Sequence, residues 1–252
     1  MRVIDLNVDI AEGFGAWRIA DDDALLTVVS SANIACGFHA GDPGTMRRAC
    51  VQAVKHGVTI GAHVGYRDLA GFGRRHIDIA PADLVDDVLY QLGALSGIAA
   101  VAGGVVRYVK PHGALYNVIG HDDGQAGAVV EAVRLFDPTL AVLGMPGSRW
   151  LALAADAGLE TVTEAFADRA YTPAGTLVSR REAGAVVSDP AAVAARAVRF
   201  AIEGTVEAID GTVLDMRARS VCVHSDTPGS LALARAARAG LVAAGVRLES
   251  FR

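Results

Sequence analysis

Short apolar runs rich in β-branched residues alternate with longer stretches of helical spacing from one end of the chain to the other. Seven runs read as strands: Val3–Asp9, Ala32–Cys36, Val58–His63, Val105–Lys110, Leu140–Leu143, Thr161–Ala165 and Ser220–His224. The stretches between them carry helix signals. The segment after Asp42 opens with Pro43 at the first helical position and closes at Lys55-His56-Gly57, a basic last turn followed by glycine. Ser188-Asp189-Pro190 predicts a second helix start and Thr227-Pro228 a third. Continuous apolar strands joined by helices indicate parallel βαβ units. Seven such units without a break in composition predict a closed or nearly closed seven-stranded (β/α) barrel, TIM-like, as one domain over residues 1–252. A doubly wound open sheet is the competing architecture. Two stretches interrupt the alternation. Residues 168–184 are long and irregular, as an active-site loop or lid would be. Thr205–Ile209, Asp210-Gly211 and Thr212–Met216 form a β-hairpin signal around an Asp-Gly turn.

Composition narrows the class. Of 252 residues, 52% are apolar, which excludes disorder. The formal charge of −5 offers no basic field for nucleic acid. Val88 to Val106 is uncharged and approaches membrane-spanning length, but Gln91, Ser96 and four glycines interrupt it. A buried helix, a turn and a strand are expected there, not a membrane span. Cys36, Cys50 and Cys222 are odd in number and lack CxxC spacing, so they read as reduced thiols of a cytoplasmic protein. Met-Arg-Val-Ile-Asp lacks the apolar core of a signal peptide.

Candidate chemistry lies where the strands end. In a parallel barrel, the loops after the strands form the face that carries function. The first strand ends with Asn7 and Asp9, with Glu12 after it; Asn33 and His39 accompany the second, and His63 ends the third. The fourth leads into Lys110 and His112, the sixth into Glu164, Asp168 and Arg169, and the last into His224 and Asp226. Any one of these histidines alone would pass for a hydrogen-bonded rim residue; together they predict a site. His56 suits a helix C-terminus, and His76 and His121 read as surface residues. Asp21-Asp22-Asp23 reads as an acidic first turn of a helix and not as a metal cluster.

Lys110 is one of only two lysines in the chain. At the end of an apolar strand it has three possible tasks: a Schiff-base nucleophile, a point charge for an oxyanion or phosphate, or an ion pair with Glu12 or Asp9. Gly13-Phe14-Gly15 lacks the third glycine of a dinucleotide fingerprint, and there is no phosphate-binding GxxxxGK[ST] loop. HExxH and GxSxG are also absent, which disfavours zincins and serine hydrolases. A mixed metal site of Asp9, His39, His63 and His224 is compatible with a barrel.

Several long segments occur in order. They are Asp5-Leu6-Asn7 to Gly15, residues 31–43, Gly61-Ala62-His63, Gly71-Phe72-Gly73-Arg74-Arg75, Tyr108 to Asn117, and Glu164 to Arg169. Together they resemble the LamB/YcsF family over nearly the whole chain. The resemblance implies a barrel of the glycoside hydrolase/deacetylase type. It also implies ATP-dependent opening of 5-oxoproline to L-glutamate, with ATP and Mg2+ as cofactors and with partner subunits B and C. Val8, Ala11, Val64, Arg67 and Ser225 stand where that family more usually has Cys, Gly, Pro, Pro and Gly.

A lactam is a poor electrophile with a poor leaving group, so such a reaction needs cations for phosphoryl oxygens, a base for water and an acid for the ring nitrogen. Lys110 with Arg74, Arg75 or Arg169 would supply the cations, Asp9 or Glu12 the base, and His112 or His224 the proton. Asn7 and Asn33 would orient the lactam. His63 is counted with the catalytic group, and His39, Asp168 and Asp226 with the substrate-binding one. The alternatives are a metal-dependent deacetylase or amidohydrolase working without ATP, and a lactam-binding subunit without bond chemistry.

Overall fold

Seven parallel strands close on themselves in this computed structural model, which describes residues 2–252. In chain order these are β1 (Val3–Ile10), β2 (Ser31–Ala35), β3 (Thr59–His63), β4 (Val106–Val109), β5 (Ala141–Gly144) and β6 (Thr161–Phe166). After them comes a hairpin of β7 (Thr205–Glu207) and β8 (Val213–Asp215), which lies outside the barrel, and then β9 (Ser220–Val223). Each barrel strand pairs with its neighbour in the order β1-β2-β3-β4-β5-β6-β9, and β9 returns to β1 with Asp5 opposite Ser220 and Asn7 opposite Cys222. A two-residue strand, β10 (Arg247–Leu248), adds to the start of β1.

Helices wrap the barrel: α1 (Asp22–Leu25), α2 (Pro43–His56), α3 (Pro81–Val101), α4 (Gly113–Val118), α5 (Asp123–Phe136), α6 (Arg149–Asp156), α7 (Pro190–Ile202) and α8 (Ser230–Ala243). The expected caps form. Asp42 Oδ1 accepts from the Gly44 and Thr45 amides at 2.9 and 3.0 Å, and Gly57 ends α2 in the left-handed conformation. Asp21 caps α1, with Asp22 and Asp23 in its first turn. The uncharged stretch from Val88 lies mostly in α3, whose Leu84, Val88, Leu92, Leu95 and Ala99 are buried in the layer around the barrel. By length and composition α3 could cross a membrane, but here it packs on α5 and the barrel strands.

Two sequence expectations are corrected. The last helix starts at Ser230, not at Thr227-Pro228, because the Thr227 hydroxyl is bonded to Asp168 Oδ2 at 2.9 Å and Gly229 takes the turn with φ 77°. The barrel strands are also not uniformly apolar. Along β1, Ile4, Leu6, Val8 and Ile10 join the apolar layer, while Asp5, Asn7 and Asp9 turn to polar partners on other strands. Alternation with period two thus gives the barrel an apolar jacket and an interior that is polar along β1 and β2 and lined by Tyr108, Leu143 and Val162 on the β4–β6 side.

That interior is hydrogen-bonded in layers. At the bottom, Asp5 accepts from Ser30 and Ser31 at 2.6 and 2.7 Å and from Ser220. Above it, Asn33 Nδ2 donates to Asn7 Oδ1 and Asp9 Oδ1, both at 2.7 Å, and the Tyr108 hydroxyl donates to Asn33 Oδ1 at 2.7 Å. Gly61 makes room for Tyr108, since a Cβ there would fall 2.2 Å from carbons of the tyrosine ring.

Candidate active site

The top layer of the barrel interior is ionic. Lys110, 2% exposed, sends its ammonium to Asp9 Oδ1 at 2.9 Å and Glu164 Oε2 at 3.2 Å. Asn7 Oδ1 lies 3.4 Å and Cys222 Sγ 3.1 Å from the same nitrogen, and the Phe166 ring lies 5.1 Å away. Burial opposes the charge, but Asp9, Cys222 and Glu164 outweigh it and hold Lys110 protonated well above its ordinary range. For Asp9 the order is the same: burial pushes it up, while His63 and Lys110 keep it well below the usual carboxylate value. An ammonium so enclosed is a fixed charge and not a free amine nucleophile.

Beside this layer stand Glu12, His39, His63 and His112, all buried, whose ligand atoms lie within 4.8 Å of one another. Glu12 Oε1 is 3.2 Å from His112 Nδ1, 3.4 Å from His39 Nε2 and 3.8 Å from His63 Nε2. His63 Nε2 also lies 3.5 Å from Asp9 Oδ2. His39 stacks on His112 with ring centres 3.8 Å apart, and burial followed by the His112 charge lowers His39 to about 3. Imidazoles and a carboxylate meeting in a buried place are a donor set suited to a transition metal. Backbone geometry holds them in place. Ala11, just before Glu12, and Phe72, whose carbonyl meets His112, have φ of 59° and 55°. Gly73 is also left-handed, and a Cβ on it would fall 2.6 Å from His39 Cβ and 2.8 Å from His112 Cδ2.

A third group faces these across the pocket. His224 Nδ1 is 2.9 Å from Asp168 Oδ1, and its backbone amide donates to Asp168 Oδ2 at 3.1 Å. Burial favours the neutral acid at Asp168, yet the His224 charge and hydrogen bonds to that carboxylate hold it below its ordinary value. Asp168 is the acceptor, so His224 keeps its proton on Nδ1 and presents Nε2 for proton exchange. Asp9, His63, Lys110, His112 and His224 all line one cavity of about 500 Å³, with Arg74, Arg180 and Arg181 on its rim.

Comparison with known proteins agrees with this architecture. The sequence matches the LamB/YcsF family over residues 4–252. The chain belongs to the LamB/YcsF family. The A component of a 5-oxoprolinase from Streptomyces avermitilis is 61% identical over 249 residues, covering 99% of this chain and 100% of that one. Its counterpart from Kocuria rhizophila is 58% identical with both chains fully covered. The crystal structure of a lactam utilization protein from Thermus thermophilus superposes with a TM-score of 0.94 at 44% identity, over 99% of this chain and 100% of that one. A family 4 carbohydrate esterase from Streptomyces lividans shares the fold alone, with a TM-score of 0.55 at 11% identity over 100% and 93% of the two chains.

In this LamB/YcsF chain, the strand-end residues converge, but not all of them reach the cavity. Asn7 and Asn33 are fully buried beneath it, and their amides are taken up by Ser220, Asp9, Tyr108 and each other, so they brace the ionic layer and do not reach the cavity lining. Arg75 turns away to Asp68, while Arg74 stays on the rim and pairs with Asp226 at 2.6 Å. Arg169 lines the cavity, but its guanidinium donates to the Ala185 and Val178 carbonyls at 3.2 and 2.6 Å and so braces the irregular loop. The expected partner of Lys110 is Asp9 and not Glu12; Glu164 is the second. His224 pairs with Asp168, away from Glu12, so the expected metal set of Asp9, His39, His63 and His224 does not assemble as a unit.

Some contributors escape a reading of the sequence. Arg180 and Arg181 lie within the irregular loop, whose length is the only sign of them. His76 is exposed, as expected of a surface residue, yet it borders the cavity. Of the departures from the family pattern, Ser225 donates to Glu12 Oε2 at 3.3 Å, whereas Arg67 pairs with Asp87 of α3 and stacks over Phe38, outside the cavity lining.

Proposed function

We propose that this chain is the lactam-opening component of an ATP-dependent 5-oxoprolinase, converting 5-oxoproline, ATP and water to L-glutamate, ADP and phosphate together with partner subunits B and C. The observation that carries this reading is the cavity itself. A fixed ammonium paired with Asp9 forms its floor, an Asp-oriented histidine its wall and arginines its mouth, in a chain 61% identical over its length to a 5-oxoprolinase component.

Each part has a task. The rim arginines attract the carboxylate of 5-oxoproline and the phosphoryl group that activates its carbonyl oxygen. Lys110 places a preorganised positive charge under the phosphorylated oxygen. Water attacks the ring carbon that bears it, the C–N bond breaks to leave the amine and an acyl phosphate, and a second water releases phosphate to give glutamate. Asp9 and Glu12 are both held anionic below the usual carboxylate range, so they balance charge and are poor proton acceptors. Proton transfer falls to His224 Nε2, which takes a proton from water and returns it to the ring nitrogen as the C–N bond breaks. The Tyr116 hydroxyl, fully buried behind the cavity wall, is kept protonated by burial and by the charge of Glu164 beside it. The lack of a GxxxxGK[ST] loop favours nucleotide use shared with the partner subunits.

Reconstitution tests the reading. The chain mixed with subunits B and C should release glutamate and ADP in equal amounts from 5-oxoproline, and the chain alone should release little. Glutamate formation by the chain alone without ATP would favour an ATP-independent amidohydrolase. No turnover of 5-oxoproline by the full mixture would reject the substrate.

A further inference from the structure

We propose that Glu12, His63 and His112 form a binding site for one first-row divalent metal ion, zinc by the chemistry of the donors, through Glu12 Oε1, His63 Nε2 and His112 Nδ1. Two backbone carbonyls fix the tautomers of the histidines. A carbonyl oxygen only accepts, so a ring nitrogen bonded to one carries the proton. His63 Nδ1 lies 2.8 Å from the Lys110 carbonyl and His112 Nε2 lies 2.8 Å from the Phe72 carbonyl. In the neutral rings, both remaining nitrogens are therefore bare lone pairs, and they face each other at 3.0 Å. Glu12 Oε1 joins them at 3.2 and 3.8 Å and has no hydrogen-bond partner of its own. In that neutral state three electron-pair donors converge in a buried place, an arrangement that is repulsive until a metal ion or a proton enters.

The spacing fits such an ion. Four ligands at about 2.0–2.1 Å from zinc in a tetrahedron stand about 3.3 Å apart. The three observed edges, 3.0, 3.2 and 3.8 Å, bracket that length. The rings of His63 and His112 are perpendicular, at 89°, so their lone pairs approach a common point from different directions. His39 is a positioning residue instead. It lies parallel to His112, at 6°, so its lone pairs run alongside those of His112 and do not converge with them, while its Nε2 sits 3.4 Å from Glu12 Oε1. Carbonyls that fix the tautomer of each liganding histidine are the usual outer support of a metal centre. Three protein ligands leave a fourth position, and the cavity lined by His63 and His112 supplies the space for it. A bound ion there would polarise a carbonyl or acidify a water.

The competing occupant is a single proton shared between His63 and His112. Full-length protein stripped with chelator would be titrated with Zn2+ and Co2+ by calorimetry, with metal content measured after gel filtration. About one ion per chain is expected, together with visible Co2+ bands of a four- or five-coordinate site. Glu12→Gln and His112→Gln should each weaken binding by about 100-fold or more, and His224→Ala should leave it within about 3-fold. Less than about 0.1 ion per wild-type chain with either metal would assign the site to a proton and overturn the proposal, whatever the variants do. Unchanged affinity in folded Glu12→Gln and His112→Gln proteins would place the ion elsewhere and overturn it equally. None of these readouts depends on the substrate or on ATP, so the site stands or falls apart from the proposed reaction.

Discussion

Replacing Lys110 by Met keeps the length of the side chain and removes one charge from the centre of the barrel. In the wild type, the ammonium lies 2.9 Å from Asp9 and 3.2 Å from Glu164. With an effective dielectric of about 20, each contact is worth roughly 5–6 kcal/mol before desolvation, which returns several kcal/mol per buried ion. The variant leaves two carboxylates buried without their cation, so a net loss of about 3–5 kcal/mol at pH 8 is expected. The pH dependence follows from Asp9. Its depressed folded-state value means that it favours the wild-type fold above its unfolded value of about 4 and loses that contribution only as pH falls through the folded one. Without Lys110 the Asp9 carboxyl protonates more readily, so the deficit should shrink from pH 8 toward pH 5. Urea denaturation at both pH values measures this, and the reconstituted reaction should lose about 100- to 1000-fold in kcat. A deficit below about 1 kcal/mol, equal at both pH values, would refute the account of a charge held by two carboxylates. Lys110→Arg should not restore activity, because a planar guanidinium does not fit a pocket shaped around a compact ammonium.

Other perturbations probe the layers around this centre. Asp168→Asn should lower kcat by about 100-fold or more with a smaller change in KM, since the His224 tautomer is no longer dictated; steady-state kinetics of the reconstituted enzyme would show it. Asp5, whose carboxyl burial pushes up to about 6, favours the fold fully below its unfolded value near 4 and loses that contribution as pH rises through 6. Asp5→Asn should therefore be more stable than wild type by about 1–3 kcal/mol at pH 8 and equal to it near pH 4, as followed by denaturant midpoints. Gly61→Ala should destabilise by about 2–3 kcal/mol or prevent folding, because the new methyl group overlaps Tyr108; a melting temperature within a degree of wild type would contradict this.

The alternation of apolar runs and helical spacings, with Asp42-Pro43 and Gly57 as punctuation, was sufficient to specify parallel βαβ units and the residues at their ends. These are local properties: caps, φ preferences and side-chain period act within a few residues. The grouping of Asp9, Glu12, His63, Lys110, His112 and His224 at one end of the barrel also follows from sequence, because every parallel strand delivers its last residues to the same face. Tertiary structure alone decided how that face divides. Whether a strand-end side chain points into the barrel or out of it depends on a period-two register that one residue of slippage reverses, so Asn7 and Asn33 could not be told from pocket residues. Pairings such as Lys110 with Glu164, His224 with Asp168 and Glu12 with three histidines join positions from 27 to 100 residues apart, and only closure of the ring brings them within about 4 Å of one another.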